Sequence, residues 1–194
     1  MAGIHTQSFE MPPVRYEEIL RYAGIGSETP ELKALAEDCI KEALDKFVYR
    51  VCWAEFPVKH AVEALDLGFA VTNSKDLQKN LTGCGRVILF AATVGLEIDR
   101  LIRRYTALDP ARAVMLQALG VERIESLCDA FNGQIAAQRD TKPRYSPGYG
   151  DLPLALQRDV MAALDCTRKI GITLGENLLM SPSKSVTALI GIKE

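Results

Sequence analysis

The sequence predicts an α+β fold, and three observations carry the prediction. Residues 32–47 keep an unbroken helical spacing of apolar side chains. Residues 49–53 and 86–94 change to strand-type patterns. Helices and strands then follow one another without the regular alternation that builds a parallel doubly wound sheet.

Taken in order, residues 1–15 read as an arm, because Met11-Pro12-Pro13 blocks regular structure. Residues 16–23 read as a short helix that ends at Gly24 and Gly26. Thr29 can cap the next helix, Pro30 fits its first position and Glu31 its first turn. Leu32, Leu35, Ala36, Cys39, Ile40, Ala43, Leu44 and Phe47 then form one apolar stripe. Alternating Tyr49, Val51 and Trp53 read as a strand, with residues 58–65 as its expected partner. Residues 74–81 read as a short polar helix broken by Gly83-Cys84-Gly85, and residues 86–94 as a buried strand.

Gly95 turns the chain into a helix over 96–105. Asp109 and Pro110 start a long one, with Val114, Leu116, Leu119, Ile124, Leu127, Cys128 and Phe131 as its apolar positions. Residues 141–150 are irregular, and a helix with Leu156, Val160 and Leu164 on one face follows. The apolar runs 176–180 and 186–192 close the chain, split by Ser181-Pro182-Ser183. Leu35, Ile40, Leu44, Trp53, Ile88, Leu89 and Leu119 are expected in the core. One domain over 1–194 fits the length of 194 residues.

Charge excludes one class of partner. With 23 basic against 25 acidic residues, a net −2 and no block of like charge, the chain lacks the basic face of a nucleic-acid binder. The longest uncharged apolar run, 87–96, spans ten residues, where a membrane helix needs about 20. Residues 1–20 lack the basic start and apolar core of a signal peptide. The five cysteines form no C-x-x-C pair, which points away from a disulfide framework or a zinc site and toward a reducing, cytoplasmic compartment.

Catalytic side chains are scarce. His5 and His60 stand apart from any metal-binding pattern, no serine sits in G-x-S-x-G, and no phosphate loop occurs. Both glycine pairs lie in the wrong context for a dinucleotide fingerprint, which removes the ordinary Rossmann-type methyltransferase. The strand-turn-helix over 91–99 has the geometry of a ligand site, but Glu97 and Asp99 first suit the acidic first turn of a helix.

The segment 143–151 is the most unusual. It combines prolines and glycines that bare the backbone with one guanidinium and two phenols. Arginine grips a carboxylate with two prongs and tyrosine rings can face a cation, so the loop suits a small zwitterion with extra positive charge. A plain linker between two helices is the other reading.

These residues carry a resemblance. Arg144-Tyr145-Ser146-Pro147-Gly148-Tyr149 resembles the R-P-A-P-G-Y loop of the activation domain of cobalamin-dependent methionine synthase. Residues 90–99, FAATVGLEID, are similar to that family's F-A-V-T-G-G-L-E-E-D, and Met180-Ser181-Pro182-Ser183-Lys184-Ser185-Val186 is similar to its M-W-P-G-A-S-V. The three blocks occur in the family's order and cover roughly residues 90–192. The resemblance implies a central, twisted, mostly antiparallel sheet flanked by helices. It also implies S-adenosylmethionine bound by Arg144 at its carboxylate, by the backbone of Ser146, Pro147 and Gly148, and by Tyr149 against the ligand.

Glu125 falls where the family has an acidic residue facing the corrinoid, and Val121 replaces its companion aspartate. The family's A-C-P-x-H is Gly150-Asp151-Leu152-Pro153 here, and its C-terminal tyrosine has no counterpart. The chain contains no D-x-H-x-x-G motif, so cobalamin is expected on a separate corrinoid-binding methyltransferase subunit, and the resemblance implies a flavodoxin-like electron donor as a second partner. The implied role is reductive reactivation of a methionine synthase or a similar corrinoid methyltransferase, in which this chain is a component of the enzyme system. The alternative is a non-catalytic adaptor that docks on a corrinoid protein and has lost S-adenosylmethionine binding.

Overall fold

The computed structural model describes residues 3–27 and 29–193. Its centre is a four-stranded sheet in the order β1 (His5–Ser8), β2 (Arg50–Pro57), β6 (Cys84–Thr93), β9 (Ser185–Lys193), antiparallel at every pairing. Between β2 and β6 lie the two-residue strands β3 (Lys59–His60), β4 (Leu65–Asp66) and β5 (Val71–Thr72), which form a small sheet of their own. A hairpin of β7 (Thr173–Leu174) and β8 (Met180–Ser181) precedes β9. The expected antiparallel sheet flanked by helices is the observed architecture.

One face of the central sheet carries four helices, three of them long. These are α1 (Tyr16–Tyr22), α2 (Pro30–Ala43), α4 (Glu97–Leu108) and the 27-residue α5 (Pro110–Ala136). Thr29 accepts from the Leu32 amide and Asp109 from the Arg112 amide, so both expected N-caps form. Ile88, Phe90 and Ala92 of β6 and Ala188, Ile190 and Ile192 of β9 pack against Leu116, Leu119, Leu127 and Phe131 of α5. The opposite face is covered by α6 (Gln157–Leu164), α7 (Cys166–Ile170), the small sheet and the six-residue α3 (Lys75–Asn80). Leu89, Ala91 and Leu189 point that way and meet Leu156, Val160, Leu164 and Cys166.

Four expectations change. His5–Ser8 of the supposed arm pairs with Arg50–Trp53 as β1, because the proline break falls after it, at 12–13. Residues 58–65 do not pair with β2; both edges of β2 are taken by β1 and β6, so this stretch folds back on itself as β3 and β4. Val114 is exposed, since α5 turns it outward while Met115, Leu116 and Leu119 face the sheet. Within 176–180, Leu178 adopts a positive φ and Leu179 is exposed, so this apolar run is the hairpin's turn. Ile88, Leu89 and Leu119 are fully buried, whereas Leu35, Ile40, Leu44 and Trp53 are half-buried at the margin of the core.

All five cysteines are free and buried. Burial pushes the Cys39 thiol up to about 11. Among the described residues no group of three or more His, Cys, Asp or Glu side chains could hold a metal ion, and no helix is long and apolar enough to cross a membrane. His5 stacks on Trp53 at 4.3 Å, and His60 Nε2 lies 3.1 Å from the Cys84 carbonyl oxygen.

Candidate functional site

The irregular segment 140–149 is stitched to the outer edge of β9. The Lys193 amide donates to the Asp140 carbonyl at 3.0 Å and the Lys142 amide to the Gly191 carbonyl at 2.9 Å. Tyr145 and Leu189 exchange both backbone bonds, at 2.9 and 2.8 Å. This extended pairing alternates the side chains, so neighbours face opposite ways. Arg144 turns to α5, and Tyr145 turns to the α6 side, where it packs against the second core.

Beyond Tyr145 the chain leaves the edge and makes a tight loop. Its closing bonds run from the Tyr149 amide to the Ser146 carbonyl, from the Gly148 amide to the Leu152 carbonyl, and from the Leu152 amide to the Tyr149 carbonyl. Gly148 sits at φ +91°, and a Cβ there would lie 3.2 Å from Leu154 Cδ1. Any other residue would be strained and crowded. Pro147 is buried, Ser146 is half-buried, and Tyr149 is 58% exposed with its ring 6.0 Å from that of Tyr145.

Asp151 anchors the loop's far end on the start of α3. It accepts from the Ser74 hydroxyl and from the Lys75 and Asp76 amides at 2.8 and 3.3 Å. The Ser74 hydroxyl, with those amides, holds its carboxyl below the usual range against the opposing effect of desolvation.

Arg144 is the end of a chain of alternating charges. Its Nη2 donates to Glu125 Oε2 at 2.5 Å and its Nη1 to Asp129 Oδ1 at 2.7 Å. The second oxygen of Asp129 accepts from Arg15 Nη1 at 2.8 Å. Arg15 reaches Glu122 through its backbone amide and Nε, and Glu122 grips the fully buried Arg123. Arg123 also donates to the carbonyls of Pro12 and Pro13, at 2.6 and 2.8 Å. Three guanidiniums thus face three carboxylates, which ties residues 12–15 through α5 to the loop. Burial opposes the charged form of Arg144, but the Asp129 hydrogen bond and the nearby negative groups outweigh it and leave its pKa raised.

The other two motif blocks meet each other. Asp99, in the first turn of α4, accepts from the Ser183 amide at 2.8 Å and the Ser183 hydroxyl at 2.5 Å. Thr93 and Ser185 share a hydroxyl bond of 2.9 Å. Lys184 is buried, donates to Gln117 and crosses the helix at Gly120, where a Cβ would lie 2.8 Å from its Cε. Desolvation lowers the Lys184 pKa. These contacts hold the 181–185 turn on α4 and α5; here Asp99 is a structural acceptor.

The structure therefore brings Arg144 and Glu125 together as an ion pair and leaves Ser146–Tyr149 as a separate, backbone-rich turn beside them. Sequence reasoning missed Asp129, Glu122 and Arg123. Asp129 was discoverable, being one helical turn from Glu125. The signal for Glu122-Arg123 is a charge pair inside an otherwise apolar stretch of α5.

No protein-family model matches the chain, and no curated protein matches it. Among solved structures, the chain is similar to one described as the crystal structure of the MetH reactivation domain bound to AdoHcy, with a TM-score of 0.74 and 16% sequence identity. The similarity covers 97% of this chain and 78% of that one. The fold of this protein is thus that of the methionine synthase reactivation domain across almost its whole length.

Proposed function

We propose that this chain binds S-adenosylmethionine, and its demethylated product S-adenosylhomocysteine, at the loop 144–149, and supports reductive methylation of cob(II)alamin held by a separate corrinoid protein. The observation that carries the reading is the shared fold with a domain that binds S-adenosylhomocysteine, combined with the matching loop on the edge of β9. One electron from a flavodoxin-like donor and the methyl group of S-adenosylmethionine together convert cob(II)alamin to methylcobalamin and leave S-adenosylhomocysteine. The bond chemistry belongs to the cofactors, and this chain supplies binding and proximity.

The residues present fit such a ligand. Arg144 offers a guanidinium to the amino-acid carboxylate, and Glu125 and Asp129 beside it offer counter-charges to the ammonium and sulfonium. The exposed ring of Tyr149 suits the sulfonium face. Gly148 leaves the backbone open to close approach. The scarcity of histidine also fits, because methyl transfer from a sulfonium needs no general base.

A second reading has its own observation. Both Nη atoms of Arg144 already donate to α5 carboxylates, so a ligand carboxylate must share or displace one. On that basis the chain is an adaptor that docks on a corrinoid protein without binding S-adenosylmethionine. Titration calorimetry with S-adenosylmethionine and S-adenosylhomocysteine decides between them. Saturable one-site binding is expected; no heat with either ligand, together with retained binding to a corrinoid protein, establishes the adaptor.

A further inference from the structure

Two of the five buried cysteines meet beneath the irregular face of the sheet. Cys52 lies in β2, and Cys166 is the first residue of α7, 114 positions away. Both are 0% exposed, and their sulfurs stand 4.0 Å apart in hydrogen-bond contact. The other three are held elsewhere. Cys39 and Cys128 belong to the core on the opposite face, and Cys84 opens β6 at the end far from Ala91, the residue paired with Cys52. The proposed function uses none of these thiols.

The element that carries Cys166 is a small one. α7 has five residues, and both of its flanks sit in left-handed backbone, Asp165 at φ 49° and Gly171 at φ 77°. A helix this short gains little from its own hydrogen bonds. Its seat on β2 therefore rests on packing, through the buried Cys166 and Ile170. Brief opening of such a segment admits a small molecule to both sulfurs. Bond formation then needs an approach from 4.0 Å to about 2 Å, within reach of a side-chain rotation. The Cys166 thiol, as a donor to the Cys52 thiolate, lowers the Cys52 pKa against the effect of desolvation. The same contact, with burial, raises that of Cys166. Cys52 is thus the attacking sulfur and Cys166 the resolving one.

We infer that Cys52 and Cys166 are a dithiol–disulfide pair that clips α7 to β2 when a low-molecular-weight disulfide oxidises them. The Cys52 thiolate attacks one sulfur of the small disulfide, breaks its S–S bond and releases one thiolate, which takes up a proton. Cys166 then loses its own proton, attacks the Cys52 sulfur and releases the second half of the small molecule as a thiol. Both cysteine sulfurs are oxidised, and the small disulfide is reduced to two thiols that carry away the two protons. The new bond joins positions 114 apart, so it restricts the unfolded chain strongly and favours the folded one. The inference does not depend on the S-adenosyl ligand.

The test uses the full chain, incubated with oxidised glutathione and afterwards with a reductant. Thiols titrated in denaturant are expected to fall from five to three, and a digest of the monomer to yield one disulfide-linked peptide pair containing Cys52 and Cys166. The urea midpoint is expected to rise by about 1–2 M and to return on reduction. Cys52→Ala and Cys166→Ala, each checked for a native circular dichroism spectrum, keep all four remaining thiols and show no rise. Wild type overturns the inference without any variant in four ways: all five thiols retained, a bond between any other pair or between two chains, glutathione left attached to either sulfur, or an oxidised chain no more stable than the reduced one.

Discussion

The two faces of the central sheet are built on different principles. On one, α5 lies against β6 and β9 while α2 and α4 pack on α5, and a single aromatic, Phe131, meets Phe9, Trp53 and Phe90. On the other, short helices, a small sheet and a looped segment cover the same strands with pieces of two to eight residues. The first face is a scaffold whose geometry is set by helix packing. Among the described residues, the second leaves the outer edge of β9 unpaired beyond the Tyr145–Leu189 bridge, beside the loop. The charge chain from Arg123 to Arg144 joins them, so the regular half positions the irregular one.

That division can be broken from the scaffold side first. Arg123→Ala strips the buried Glu122 of its closest guanidinium, leaving it the longer contact to Arg15 and the Ser126 hydroxyl, and frees the carbonyls of Pro12 and Pro13. It should cost about 3–5 kcal/mol of stability in urea unfolding. A loss below about 1 kcal/mol would mean that water reaches the pair.

Cavity formation comes next. Leu89→Ala, on the α6 face, should cost about 2–5 kcal/mol. An unchanged urea midpoint would show that the irregular face is not a packed core.

The loop side should respond in binding. Arg144→Ala should weaken S-adenosylhomocysteine binding by about 10- to 150-fold, the loss of a charge-assisted pair worth about 1.5–3 kcal/mol. Unchanged affinity in calorimetry removes Arg144 from the site.

The smallest effect is in pH dependence. Burial raises the Glu122 pKa, but Arg123 and Ser126 more than offset this and hold it below 4.5. Its stabilisation is therefore complete above that value and is lost as pH falls through the folded pKa. Glu122→Gln should flatten the acid limb of urea midpoints measured from about pH 6 to about pH 3. An acid limb identical to wild type assigns it to other carboxylates.

The two halves also differ in how far the sequence announces them. Thr29-Pro30 and Asp109-Pro110 mark α2 and α5 because caps act locally, and β6 is apolar over consecutive residues because both its faces are covered. The pairing of His5–Ser8 with β2 is a contact between segments about 45 residues apart, which no local pattern encodes. In the site, the loop is legible as chemistry, and Glu125 only through the family resemblance. Their ion pair is not, because it depends on segment 140–145 choosing the β9 edge and so turning Arg144 toward α5.

The central claim is that the chain serves reductive methylation on a partner's corrinoid. The most direct measurement follows the visible spectrum of a cob(II)alamin-loaded corrinoid protein supplied with S-adenosylmethionine and a flavodoxin-like electron donor. The account predicts that adding the chain speeds conversion to methylcobalamin, and that Arg144→Ala abolishes the acceleration. Conversion at the same rate with and without the chain, or acceleration that Arg144→Ala leaves intact, would contradict it.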